Sequence, residues 1–69
     1  MTRKDYKIIA QVFWNEYHSI KYTYNDTVTA TAIMLELIVS MADALHDDNP
    51  RFLYKRFYDA CGVGEELNT

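Results

Sequence analysis

Residues 28–45 read VTATAIMLELIVSMADAL, and the periodicity of this stretch decides the fold. Its polar residues Thr29, Glu36, Ser40 and Asp43 are spaced seven, four and three apart. On a helix that spacing draws one narrow polar strip, whereas a strand places alternate residues on opposite faces. The remainder is apolar, including Ile33, Met34, Leu37, Ile38, Met41 and Leu45. A helix apolar around most of its girth is covered on more than one side. We therefore expect a helix over about 27–46 that needs two further helices and, beyond them, a second copy of the chain. Thr31, Glu36, Ser40 and Asp43 interrupt the run, which argues against a membrane span.

Upstream, Thr2-Arg3-Lys4-Asp5 has capping-box spacing, with Asp5 in place of the commoner Glu or Gln. Tyr6, Ile9, Phe13, Tyr17 and Ile20 then recur at three- and four-residue steps, which predicts a helix over about 3–20. Trp14 falls off this stripe and becomes a candidate contact residue. Residues 21–29 alternate Tyr22, Tyr24 and Val28 with threonines around Asn25-Asp26, a pattern that also fits a hairpin. One isolated hairpin beside helices is poorly stabilised, so a connection with Asp26 as helix cap is preferred.

Downstream, Asp47-Asp48-Asn49-Pro50 reads as a turn with Asn49 as N-cap and Pro50 at the first position of a helix over about 50–61. Phe52, Leu53, Phe57, Ala60 and Cys61 make that helix apolar in part, and Gly62 supplies a C-terminal glycine. Residues 63–69 read as a flexible tail. The expectation is a single all-α domain over 1–62, a three-helix unit assembled as a dimeric helical bundle.

Composition points the same way. A 69-residue chain buries only roughly 60% of its unfolded surface, yet 49% of this one is hydrophobic. Some apolar surface must then face another molecule, most simply in a homodimer. Cys61 is the sole cysteine, so no intramolecular disulfide staples the fold. The net charge of −3 weakens a chain-wide case for nucleic acid. Met1 to Asp5 leads into an amphipathic stretch and not a continuous apolar one, so the expected location is the cytoplasm, without a membrane.

At Asp48-Asn49-Pro50-Arg51-Phe52, Arg56-Phe57 and Ala60-Cys61-Gly62, with Met1-Thr2-Arg3 at the other end, the chain resembles a set of small uncharacterised proteins of bacteriophage and mobile-element genomes. It departs from their pattern at Leu53, where they carry Asp. The resemblance implies a phage-type origin and points to no particular activity. By class analogy it implies a protein that binds host machinery, defence systems included.

Chemistry-bearing residues are few. His18 and His46 are the only histidines, and His46 sits where a cation favours a helix C-terminus. Cys61 suits core packing, Glu36 the solvent strip, and Asp47-Asp48 a turn. No glycine-rich loop, metal-ligand spacing or nucleophilic set appears, so we expect no enzyme, cofactor or metal. The bases form two groups, Arg3, Lys4 and Lys7 on helix one and Arg51, Lys55 and Arg56 on helix three. Arg51, Lys55 and Tyr58 are expected to share a face. The expected function is binding a host protein and inhibiting it by steric occlusion, with Trp14, Tyr17, Tyr22, Tyr24, Tyr54 and Tyr58 as aromatic anchors beside Arg51 and Lys55. The alternatives are a small nucleic-acid-binding regulator, with helices two and three as a helix-turn-helix, and a structural accessory protein of the phage.

Overall fold

The structure, a computed structural model, describes the backbone of residues 2–23 and 27–67 and the side chains of 2–20 and 28–67. Among the described residues four helices follow one another: α1 (Arg3–Thr23), α2 (Thr27–Asp48), α3 (Tyr54–Ala60) and α4 (Gly64–Leu67). No strand forms among the described residues. The all-α expectation holds, and helical residues on both sides of 24–26 exclude the hairpin. Tyr24, Asn25 and the expected cap Asp26 lie outside the described residues.

α1 starts where its capping box places it. The Thr2 N–H donates to Asp5 Oδ2 at 2.9 Å, and the Asp5 N–H donates to Thr2 Oγ1 at 3.4 Å. The backbone hydrogen bond from Thr2 holds the Asp5 carboxyl below its ordinary pKa. A carboxylate lowered in this way stabilises the helix start above its unfolded pKa and loses that effect as pH falls through the folded value.

α2 runs as one uninterrupted rod. Its outer strip, Thr29, Glu36, Ser40 and Asp43, is exposed as the spacing requires. Its inner stripe buries Ile38, Ala42 and Leu45, with Met34 and Met41 half-buried beside them. Against it pack Ala10, Phe13 and Tyr17 of α1, then Phe52, Phe57, Tyr58 and Cys61. Full burial of a side chain such as Ile38, at 0% exposure, contributes about 1.5–3 kcal/mol.

The third helix is shorter than expected. Asn49-Pro50-Arg51-Phe52 is a turn, closed by the Phe52 N–H donating to the Asn49 carbonyl at 2.8 Å. Asn49 Oδ1 also accepts from the Arg51 N–H at 3.1 Å, the self-bonding that favours Asn in turns. Pro50 therefore occupies the second position of this turn and not the first of a helix. Leu53 is the N-cap of α3, in extended conformation and without a side-chain cap.

The largest correction concerns the C-terminus. Residues 63–67 are not a loose tail: Val63 is fully buried and Gly64–Leu67 turns helically, with Leu67 packed at the margin of the core. The Gly62 N–H donates to the Asp59 carbonyl at 3.1 Å, and the Val63 N–H donates to the Tyr58 carbonyl at 3.0 Å. These are the paired bonds of a Schellman cap, with Gly62 at φ 78°. The cap reverses the chain so that the residue after the glycine points inward.

Gly62 is constrained twice, by its φ and by space. A Cβ there would stand 2.6 Å from His18 Cε1 and 2.7 Å from Trp14 Cδ1. Gly62→Ala is expected to destabilise the fold by about 1–3 kcal/mol from backbone conformation alone, plus the displacement of the two rings. Urea denaturation followed by circular dichroism measures this, and an unchanged midpoint would remove the cap from the account.

Candidate functional site

Asn49 joins the turn to α1. Its Nδ2 donates to the Tyr6 hydroxyl at 3.2 Å, while its own N–H caps the end of α2 by donating to the Leu45 carbonyl at 2.9 Å. Tyr6 meets Phe52 edge-on at 5.2 Å, and Phe52 in turn touches Phe57 at 5.4 Å. This aromatic row draws the start of α1, the turn and α3 around a groove of about 460 Å³.

The walls of the groove are basic. Arg3 and Lys7 come from α1, Arg51 from the turn and Arg56 from α3. All four side chains are exposed, and among the described residues none has a hydrogen-bond or carboxylate partner. The floor is apolar, with Leu53 54% exposed and Ala60 exposed, over the buried rings of Phe52 and Phe57. The two basic groups seen in the sequence thus meet in space, minus two members. Lys4 is outside the groove, and Lys55 is ion-paired with Asp59 at 3.3 Å on the same helix.

The expected aromatic anchors are distributed differently. Tyr17 and Tyr58, at 3% and 8% exposure, are core residues and not contact residues. Arg51 lies in the turn and Tyr58 faces inward, so Arg51, Lys55 and Tyr58 share no exposed face. The periodicity had already put Tyr17 on the buried stripe of α1, and that signal was the better guide. Tyr54 is half-buried and committed to α2, its hydroxyl donating to Asp43 Oδ1 at 2.9 Å beside the His46 ring at 5.1 Å. That bond to a carboxylate raises the Tyr54 pKa. Trp14 is 41% exposed but stacked on His18 at 4.0 Å, and both rings lie over Gly62. The side chain of Tyr22 and all of Tyr24 lie outside the described residues.

Among the expected core or dimer residues, Ile38, Leu45, Phe52 and Phe57 are buried, and Met34 and Met41 are half-buried. Ile33 and Leu37 are exposed, at 62% and 51%. α3 is also too short and too deeply engaged for a recognition helix. It has seven residues, of which Phe57 and Tyr58 are buried, and Arg51 precedes it.

His18 Nδ1 lies 2.8 Å from the Trp14 carbonyl. A carbonyl only accepts, so Nδ1 carries the proton and the bond fixes the ring against Trp14. Cys61 is buried, and desolvation pushes its thiol up to about 12. A thiol held neutral in this way is a poor nucleophile. Among the described residues no group of His, Cys, Asp and Glu is arranged to hold a metal. By length and mean hydropathy (1.7), Val28–Asp48 is long and apolar enough to cross a membrane; a core helix of a soluble protein can have the same composition, but only 17% of this stretch is buried within the chain.

No family model, curated protein or solved structure matches the chain.

Native Cys61 is expected to resist iodoacetamide at pH 8 and to react only after unfolding. Because the folded thiol titrates above the unfolded one (9.0), its contribution to stability is fully present below pH 9 and is lost as pH rises toward 12. Labelling followed by mass spectrometry, with and without urea, checks the first point. Rapid labelling of the folded protein would contradict the burial.

Proposed function

We propose that the chain is a non-catalytic interaction module that works as a homodimer and inhibits a target protein by steric occlusion. The observation that carries this reading is an apolar face left uncovered by the single chain. Ile8 and Val12 on α1, and Ile33 and Leu37 on α2, are all more than half exposed. At 100° per residue each pair occupies one side of its helix. Both sides point away from the residues that meet α3 and its flanking turns, which are Tyr6 and Trp14 on α1 and Asp43 and His46 on α2. The four therefore share the face of the α1/α2 pair opposite α3.

Large apolar side chains concentrated on one face of so small a protein favour association. A second copy covering this face completes the bundle that the apolar girth of α2 calls for. The basic groove, on the α3 side, then stays open for a different protein. The resemblance to small phage proteins makes that protein a host component, and the module cytoplasmic. Support for a non-catalytic role comes from the inert Cys61 and from His18, whose Nδ1 is already bonded to Trp14.

Light scattering at micromolar concentration is expected to give about twice the 8.1 kDa chain mass. Leu37→Glu should return the mass to that of one chain with helical circular dichroism unchanged, because Leu37 contributes little to the monomer core. A wild-type mass of one chain would overturn the dimer. Partition of the wild type onto neutral phosphatidylcholine vesicles would reassign the apolar face to a membrane.

A further inference from the structure

We propose that the basic groove captures an acidic segment of a partner protein, with Arg3, Arg51 and Arg56 clamping its carboxylates and Leu53 and Ala60 receiving an apolar side chain. The proposal rests on the reading of the chain as a protein-binding module, but it uses the opposite face and different residues.

Charge complementarity carries it. The chain has three arginines in all, and every one lines this groove, joined by Lys7. They arrive from three separate parts of the fold, the start of α1, the α2–α3 turn and α3. Among the described residues no carboxylate comes within ion-pair distance of them: Asp5 is tied to Thr2 in the cap of α1, and the ion pair present is that of Lys55 with Asp59. In a protein of net charge −3, four uncompensated cations around one concavity make a local site for an anion. Guanidinium forks match carboxylates bidentately, and arginine is among the residues that dominate binding energy at interfaces.

The floor selects a protein segment over a nucleic acid. Single-stranded nucleic acid binds by stacking bases on exposed aromatic faces. Here Phe52 and Phe57 are buried, and Tyr6 is half-buried, set edge-on to Phe52 and hydrogen-bonded through its hydroxyl. What remains exposed is Leu53 with Ala60, an aliphatic seat for a side chain such as leucine. Duplex DNA is offered no recognition helix, because α3 has only seven residues, buries Phe57 and Tyr58, and begins after Arg51.

The test is fluorescence anisotropy with a labelled short peptide of glutamate and aspartate containing two leucines. Its glutamine/asparagine counterpart and single- and double-stranded oligonucleotides serve as competitors. The acidic peptide should bind, should weaken as salt rises, and should lose about tenfold or more in affinity with the double variant R51E/R56E. The control K4E, set against the single variant R51E, makes the same charge change outside the groove and should bind as the wild type does. Leu53→Asp should also weaken binding. All of these side chains are exposed, and circular dichroism confirms that each variant remains folded. Equal loss in K4E and R51E, equal binding of the neutral peptide, or preferential displacement by an oligonucleotide through the same arginines would each overturn the proposal. Because the apolar face is untouched, a dimer that fails to bind the acidic peptide rejects the groove alone. A monomer that binds it rejects self-association alone.

Discussion

The fold depends on one close approach, that of the Gly62 backbone to the Trp14–His18 stack. Only a residue without a Cβ fits beneath those rings, and only a residue tolerant of positive φ closes the α3 cap there. The approach brings Cys61 and Val63, on either side of the glycine, to zero exposure. In a chain with so little interior, these two side chains form a substantial part of the contact between α3 and the rest. The same contact explains why Trp14, off the buried stripe of its helix, is nevertheless held in place.

A second constraint acts at the opposite end of α3. Asn49 satisfies its N–H on α2, its side-chain amide on α1 and its carbonyl groups within the turn. Three elements are fixed by one residue whose side chain both donates and accepts. The aromatic row from Tyr6 through Phe52 to Phe57 lies directly under the groove. The packing that closes the core therefore also sets the spacing of the arginines above it. The core thus fixes the backbone positions from which these side chains project, while the exposed side chains themselves stay unpaired.

The molecule is two-faced. One side of the α1/α2 pair offers uncovered aliphatic side chains, whose contribution to association is non-directional and scales with area. The other side offers four exposed cations around a small apolar seat, the kind of surface on which charge complementarity confers selectivity. The two surfaces do not overlap, so the proposed self-association and the proposed capture of an acidic segment would not compete for surface.

Periodicity made much of this legible. The strip of Thr29, Glu36, Ser40 and Asp43 established α2 as a helix and predicted which side faces water, because polar spacing maps onto angle in a regular helix. The Thr2/Asp5 cap, the breaking turn at Asn49-Pro50 and the glycine ending α3 are local signals, each governed by neighbours within a few residues. The burial of Val63 and Tyr58 was not legible, since it depends on contacts with distant elements after the chain reverses. Nor was the groove. The sequence contained two basic groups about forty-five residues apart, and nothing local distinguished Arg3, Lys7, Arg51 and Arg56 from Lys4 and Lys55. Only helix packing, which places one turn of α1 beside the α2–α3 turn while Lys55 pairs along its own helix, decides which cations converge.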